Sequence, residues 1–527
     1  MKKNLILTLP PETAFDETEF HHYIKNYLAI KDENEFHIRL LKRSIDARSR
    51  NIKVNIQADV FIDETPTPLL QYENEYKDVS KAKQAIIVGA GPAGLFAALR
   101  LIELGIKPII IERGKDVQER RRDLANINKK NIVNADSNYC FGEGGAGTYS
   151  DGKLYTRSKK RGDITRILEI MVAHGANENI LIDAHPHIGT NKLPKLIQEI
   201  RNTILNYGGE IHFDTKVIDF ILEGNEMKGV STINQHEIKN EFRGIGVILA
   251  TGHSARDIFE LLHHKNIILE TKPFALGVRI EHQQSLIDNI QYNGNKFDML
   301  PAASYSLVEQ VKVGKNQKGV FSFCMCPGGF IVPAATSQNE IVVNGMSPSK
   351  RDSPYANSGM VVAVDENDWK NFKDFGALAG MEYQKSIEQK AWQIAGQTQI
   401  APAQRMQDFV NKKVSSSLLE TSYQPGLVAI EMRDFLPQEI AFCLQEGFKS
   451  FGKQMRNYLT NDAQIIGVES RTSSPVKIPR DKENFEHINT KRLFPCAEGA
   501  GYAGGIMSAA IDGERCAETL SKKYNNL

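Results

Sequence analysis

The sequence predicts an α/β protein in which a Rossmann-like dinucleotide-binding domain with a β-meander is interrupted by an inserted α+β domain and preceded by a small N-terminal α+β module. Three observations predict it. Gly89, Gly91 and Gly94 form G-x-G-x-x-G directly after the apolar run Ala85–Val88. Residues 211–252 read as short antiparallel strands and end in an apolar run into Ala250-Thr251-Gly252. A second glycine-rich turn, EGAGYAGGI, follows the apolar stretch LFPCA near the C-terminus. The expected division is a module over 1–65, a linker over 66–80, the nucleotide domain over 81–271 and 471–527, and the inserted domain over 272–470.

Composition narrows the function classes. The 527 residues are 41% hydrophobic and 24% charged, ordinary for a soluble globular protein of roughly two to four domains. Lys and Arg number 65 against 64 Asp and Glu, a formal net charge of +1, so no bulk field draws the chain to nucleic acid or an anionic membrane. No run of about 18 apolar residues is present to span a bilayer. The opening MKKNLILTLPPETAFDETEF puts prolines and acidic residues where a signal peptide needs a small-residue cleavage site, so a signal peptide is rejected. The six cysteines, at 140, 324, 326, 443, 496 and 516, are too sparse for a disulfide scaffold, and a reducing cytoplasm fits them best.

In chain order, NLILTLPP reads as a strand, DETEFHHYIKNYLAI as an amphipathic helix capped by Asp16, and FHIRLLKRSIDARSRNIKVNIQADVFI as two alternating strands. The basic patch Arg39, Lys42, Arg43, Arg48 and Arg50 has no aromatic residues interleaved, so it reads as a solvated hairpin face rather than an RNA contact. After the linker, QAIIVGAGPAGLFAALRLIELGIKPIIIER runs strand, glycine loop, helix, strand. Gly89 makes the tight turn, Gly91 lets the backbone approach a pyrophosphate, and Gly94 lets the helix pack on the sheet. Pro92 sits in the first helical turn, where its missing N–H costs nothing. With Ala93 it forms a helix N-terminus that offers orphan N–H groups and a positive dipole to phosphates. Glu112, with Arg113 beside it, ends the second strand about twenty residues on, where an acid hydrogen-bonds a ribose.

The meander IHFDTKVIDFILEG, MKGVSTIN and HEIKNEFRGIGVILATGH, resumed by Ala250-Thr251-Gly252 and closed by RLFPCAEGAGYAGGIMSAAIDGERCAETL, resembles the two-dinucleotide-binding-domain flavoproteins. The resemblance implies FAD. It makes Glu498, where the family's usual residue is Asp, the ribityl-binding carboxylate, with Gly499 after it. Gly504, Gly505 and Ile506 open a helix whose N-terminus would face the flavin N1/O2 edge, where positive charge stabilises the anionic reduced ring. CFGEGGAGTYSDGKLYTR lacks the leading strand and spacing of a phosphate loop. It resembles the loop by which many flavoproteins grip the pyrophosphate and the ring edge, which carries over Gly144, Gly145, Thr148, Ser150 and Gly152, with Val217 of the meander joining them.

Within 272–470, KPFALGVRIEHQQ, GVFSFCMCPGGFIVPA and NEIVVNGMSPSKRDSPYANSGMVVAV read as strands and turns, and EYQKSIEQKAWQIAGQ and the segment 436–458 as helical, together a substrate or cap domain. No second G-x-G-x-x-G follows a strand, since GALAG at 376–380 lacks both strand and spacing. NAD(P)H therefore has no dedicated domain and would enter as a transient reductant at the flavin face. GAGPAGLFAAL, GEGGAGTYSDGKL, HIGTNKL, FALGVRIEH, FCMCPGGFIVPA, ESRTSSPVKIPRD and EGAGYAGGI are together similar to the blocks of a broad bacterial family of FAD-dependent dehydrogenases. That resemblance covers essentially the whole chain, implies FAD and the three-part architecture, and names no substrate.

Side chains i and i+2 of an extended strand share a face, so Cys324 and Cys326 would point the same way if Ser322–Cys326 is extended. No second Cys/His pair has zinc-site spacing, and His185 and His187 lack partner carboxylates or thiols nearby, so no metal is expected. A disulfide between Cys324 and Cys326 would close a very short, strained ring. The preferred reading brings Pro327-Gly328-Gly329 close to the flavin ring with one thiol lining the substrate pocket, and the alternative is a buried strand with cysteine as a small hydrophobe. Arg471, among Thr472, Ser473 and Ser474, is a candidate anchor for an acidic substrate group, or else it pins the FAD pyrophosphate. Lys153, near flavin or substrate, and Arg279, His282 and Lys477 complete the candidates. The expected function is hydride transfer between a small-molecule substrate and flavin N5. Two alternatives stay open: an FAD-dependent monooxygenase consuming NAD(P)H and oxygen together, and a flavin-containing RNA- or partner-binding protein using the N-terminal basic module.

Overall fold

The computed structural model describes residues 1–525 apart from 67, 69, 71, 156–161 and 295–297. Thr156 and Arg157, which end the CFGEGGAGTYSDGKLYTR stretch, lie outside the described residues. The first module comprises β1 (Lys2–Leu9), α1 (Pro11–Phe15), α2 (Glu17–Tyr27), β2 (Phe36–Asp46) and β3 (Lys53–Ile62), with the sheet ordered β1-β3-β2. Asp16 caps α2, its carboxylate accepting the Glu19 N–H at 2.9 Å. The five-residue α1, opened by Pro11, is too short to show a helical period and escapes sequence reading. Leu7, Phe20, Ile24, Val54 and Ile56 give the module its own core.

From Gln84 the elements are β4 (Gln84–Val88), α3 (Pro92–Glu103), β5 (Lys107–Ile111), α4 (Arg120–Lys130), α5 (Ile164–Ala173), α6 (Leu193–Asn206), β6 (Glu210–His212), β7 (Thr215–Glu223), β8 (Glu226–Asn234), β9 (Lys239–Arg243), β10 (Val247–Leu249) and α7 (Arg256–His264). The inserted region holds β11 (Glu270–Thr271), β12 (Phe274–Gln283), α8 (Gln284–Gln291), β13 (Val308–Val313), β14 (Asn316–Cys326), β15 (Phe330–Pro333), β16 (Val343–Met346), β17 (Tyr355–Val364), α9 (Ala379–Ile394), β18 (Ala401–Arg405), α10 (Met406–Val410), β19 (Leu427–Ala429), α11 (Gln438–Gln454) and β20 (Gln464–Glu469). The chain returns through β21 (Val476–Lys477), β22 (Leu493–Pro495) and α12 (Ile506–Tyr524).

A parallel sheet of order β22-β10-β4-β5-β6 carries the nucleotide half. Its strands are covered on both faces, which is why they read as continuous apolar runs. Ala85, Ile87 and Ile110 pack with residues of α3, α6 and α12, whereas Ile86, Val88 and Ile109 pack with residues of α7 and the β7-β8-β9 meander. The linker also packs: Tyr72 and Tyr76 lie against the first of these cores, and the Tyr72 hydroxyl donates to Glu103 at 2.9 Å.

The inserted region is built on a seven-stranded sheet, β13-β14-β17-β12-β20-β18-β19. Leu276, Val278, Ile280, Val320 and Met360 pack with α9 and α11 in one large core. The intervening positions of β12, among them Ala275 and Arg279, take the opposite face. Arg256 of α7 and Arg471 clasp the same two carboxylates, Glu340 and Glu388, at 2.7–2.8 Å, tying the nucleotide half to the insertion. Among the described residues no helix is long and apolar enough to cross a membrane.

β14 does not stay regular to its end. Its pairing with β17 slips between Phe323 and Cys326, and Cys324 adopts φ +47°. The expected common face of the two cysteines is therefore lost: Cys324 is exposed and Cys326 is 0% exposed. Arg279 holds the bulge, its Nη2 donating to the Cys324 carbonyl at 2.7 Å while Nη1 pairs with Glu469 at 2.5 Å.

Candidate functional site

A cleft of about 1530 Å³, mouth included, opens at the C-terminal ends of β4, β5 and β10 and runs to the bulge of β14. Its floor is the glycine turn. Gly89 has φ +103°, and a Cβ there would lie 2.7 Å from the Ala250 carbonyl oxygen. A Cβ on Gly94 would lie 2.0 Å from the Gly89 oxygen, so Gly94 serves helix packing, whereas a Cβ on Gly91 would meet nothing within 4 Å and Gly91 faces open cleft. Pro92 and Ala93 line the cleft beside it.

Glu112 lies in the wall and binds three loops. Its carboxylate accepts the N–H of Ala90 at 2.9 Å, of Gly114 at 2.9 Å and of Gly142 at 3.0 Å. A carboxylate offers about four lone-pair sites, so capacity remains for a hydroxyl. Arg113 lines the cleft with Nη2 donating to both Asp257 oxygens at 2.8 Å and its guanidinium 4.5 Å from the Phe141 ring centre.

The glycine-rich loop folds onto this floor. The Gly144 N–H donates to the Ala90 carbonyl at 2.8 Å, and a Cβ on Gly145 would lie 3.2 Å from Gly91 Cα. Gly145, Ser150, Gly152 and Lys153 line the cleft, while Gly144 and Thr148 brace the loop from inside, the Thr148 hydroxyl donating to the Glu143 carbonyl at 2.9 Å.

α12 brings a second helix N-terminus to the cleft. A Cβ on Gly513 would lie 2.1 Å from the Ala93 oxygen, so α12 crosses α3 at backbone contact. Gly505 (φ +87°) and Gly252 both face open space, and Ile506, Val217 and Ala250 complete the wall. The Thr251 hydroxyl, on the same wall, is buried without a hydrogen-bond partner among the described residues. Glu498 lines the cleft half-buried. Burial lowers the pKa of neighbouring Lys272, and the Glu498 charge opposes that shift. Gly499 and Gly504 stand outside the lining; a Cβ on Gly499 would lie 2.0 Å from the Thr251 oxygen.

The chemical candidates separate. Cys324 and Lys153 reach the cleft, Lys153 Nζ donating to the Met325 carbonyl. Cys326 does not; burial pushes its thiol up to about 11, and its Sγ lies 3.2 Å from the Cys324 carbonyl oxygen. Pro327-Gly328-Gly329 turns inward, contrary to expectation: a Cβ on Gly328 would lie 1.7 Å from the Arg351 oxygen, and no residue of the turn lines the cleft. Arg471 lines the cleft, but Nε and Nη2 donate to Glu388, Nη2 also to Glu340, and Nη1 to Thr336 at 2.7 Å. Those carboxylates neutralise the anchor expected for an acidic substrate.

His282 is a core residue, its Nε2 donating to the Tyr458 carbonyl at 2.9 Å. Lys477 pairs with Glu270 at 2.6 Å, away from the cleft. His187 meets the Ser349 carbonyl at 3.1 Å, and the exposed His185 lies edge-on to Tyr155. Among the described residues one group of metal-type ligands converges, Cys496, Asp512 and Cys516. Asp512 is already bidentate to Arg480 at 2.6 and 2.8 Å, a cation that disfavours a metal there.

Sequence reasoning missed Phe323 and Thr472, which line this cleft and a second one of about 880 Å³ beyond it. It also missed Arg120, fully buried beneath the glycine loop as the first of three consecutive arginines.

Residues 82–128 match the model of an FAD binding domain, residues 273–472 that of the FAD-dependent protein C-terminal domain-like family, and residues 1–61 a domain of unknown function. Solved structures resemble the chain distantly. They include the tetracycline destructase Tet(51), at 13% identity over 84% of each chain with a TM-score of 0.33. A geranylgeranyl bacteriochlorophyll reductase-like protein of Thermoplasma acidophilum matches at 11% identity over 84% of this chain and 78% of that one, with a TM-score of 0.35. An uncharacterized protein of Clostridium beijerinckii is 38% identical over 516 residues, covering 94% of this chain and 95% of its own length. With an FAD-binding domain at the cleft and that extent of identity, the chain belongs to the family of the Clostridium beijerinckii protein.

Proposed function

We propose that this protein is an FAD-dependent oxidoreductase that transfers a hydride between a small-molecule substrate and flavin N5. One observation supports it above the rest: a single cleft collects two helix N-termini, the open glycines Gly91, Gly252 and Gly505, and the unpartnered Thr251 hydroxyl, and then continues into the insertion. The orphan hydroxyl and the cradles that a Cβ would fill fit a dinucleotide. FAD, when bound, supplies reversible hydride acceptance at its ring.

The chain's own residues bind and orient. The first turn of α3 offers N–H groups to a diphosphate, Glu112 stands at the ribose end, and the α12 N-terminus places positive potential at the opposite end. Cys324 and Phe323 stand where the cleft enters the insertion. Beyond them the second cleft is lined by Ala275, Gly319, Ala363, Phe321 and Phe323, with the polar Gln317, Asp365, Thr472 and Ser473 among them. Lys318 at its rim is paired with Asp368 at 2.7 Å. Small and aromatic residues, with no free cation among the described lining residues, suit a neutral, flat substrate better than an acid. NAD(P)H would approach through the open mouth as a transient reductant.

The test starts with the purified chain. It should carry the visible absorbance of oxidised flavin or take up added FAD, and failure of both overturns the reading. Anaerobic mixing with NADH, NADPH and a metabolite panel, followed by flavin bleaching, identifies the donor. Ala363→Phe should slow bleaching by the substrate about tenfold without changing FAD content, and equal rates would place the substrate elsewhere.

A further inference from the structure

Arg120 opens α4 yet is 0% exposed. Its Nε donates to the Asn138 carbonyl at 2.8 Å, and Nη1 donates to the carbonyls of Glu143 at 2.9 Å and Gly145 at 3.0 Å. The Tyr149 ring centre lies 5.0 Å from its guanidinium carbon. Nη2 is buried with no hydrogen-bond partner among the described residues. Every acceptor is thus a neutral backbone oxygen, and among the described residues no carboxylate forms an ion pair with this cation.

The nearest acids make their hydrogen bonds and ion pairs elsewhere, although Glu143 Oε1 is buried without a partner among the described residues. Glu112 takes three backbone N–H groups, and Glu143 takes the Val117 N–H at 2.9 Å and Arg201 at 3.2 Å. A buried charge without a counter-ion is costly, and burial depresses the Arg120 pKa accordingly.

The carbonyls that Arg120 holds belong to the loop lying on the α3 N-terminus. Gly142 fits so closely that a Cβ there would lie 2.6 Å from Arg120 Cδ, and Gly145 rests on Gly91. The guanidinium therefore stands one glycine behind the place where α3 presents its first N–H groups.

We propose that Arg120 is a positioning residue for an anionic diphosphate: it shapes the glycine loop from behind, and its charge is balanced when the diphosphate of a dinucleotide enters the cleft. The inference rests on the FAD reading and goes beyond it, because it assigns long-range charge stabilisation to a side chain outside the cleft lining.

The experiment uses flavin-free protein and compares FAD with riboflavin, the same ring without the diphosphate, by flavin fluorescence. Arg120→Met and Arg120→Gln should each lower FAD affinity at least about tenfold and leave riboflavin affinity within about twofold, while Arg120→Lys keeps most of the preference for FAD. FAD and riboflavin affinities falling together would reduce Arg120 to a structural brace, and an unchanged FAD affinity would overturn the proposal outright. If Arg120→Met does not fold, Arg120→Gln, which keeps a donor for the loop carbonyls, decides against Arg120→Lys. A wild-type protein that binds neither flavin overturns the FAD reading itself, an outcome distinct from failure at Arg120.

Discussion

His282 ends the buried part of β12 with its ring 4.7 Å from that of Tyr458 and, among the described residues, no partner on Nδ1. Full burial holds its pKa at about 4, against 6.5 in the open chain. The unfolded chain therefore takes up a proton first as the pH falls. Stability from the neutral ring is complete above pH 6.5 and is lost between 6.5 and about 4, some 3 kcal/mol in all. Urea unfolding across that window should show a shallower loss for His282→Asn; an unchanged slope would mean that the folded protein already carries the charge. His174, His187 and His487, also lowered by burial, keep part of the slope in the variant. Side-chain fates of this kind were the least legible part of the sequence. Arg120, Arg121 and Arg122 are the same residue type in a row, and only packing from Tyr149 and the 138–145 loop separates the first from its neighbours. Cys324 leaves the strand pattern because Arg279, far off in the chain, takes its carbonyl.

Elements set by local chemistry were readable. The glycine turn, Pro92, Asp16 and the apolar runs of β4 and β5 act within a few residues of themselves, so pattern and position agree. The structure adds a division of labour among the glycines that spacing alone does not quantify. Gly91→Ala, at φ −73° with open space around its Cβ, should fold within about 0.5 kcal/mol of wild type yet bind flavin at least about tenfold less tightly. Gly94→Ala drives a methyl into the Gly89 carbonyl and should cost roughly 1–3 kcal/mol or prevent folding. Thermal unfolding and flavin titration of the two variants check the pair, and the reverse order of damage would refute the assignment. The Pro-Gly-Gly turn shows the limit of such reading. Its glycines are required by close approach to Arg351 and Met346, partners that pattern cannot name.

At the scale of the whole molecule, Glu388 is the knot. Although burial pushes its carboxyl up, Arg256 and Arg471 hold it at about 2. Glu388→Gln leaves the buried Arg471 and the part-buried Arg256 with one carboxylate and should destabilise the protein by roughly 3–5 kcal/mol. Denaturant unfolding should then split into two transitions, since the insertion and the nucleotide half lose their tie; a single unshifted transition would show the clasp to be idle. Residues 256, 340, 388 and 471 are too far apart in sequence for this knot to be foreseen. The crossing of α12 over α3 at Gly513 has a further consequence, for biosynthesis. β22 and α12 leave the ribosome roughly 400 residues after α3, on the order of 20 to 80 s at ordinary translation rates. Until then the growing chain holds α3 without α12 and β10 without its partner β22, while the N-terminal module has its own core to close on. α3 thus waits through roughly 400 residues of synthesis for the helix that packs on it at Gly513.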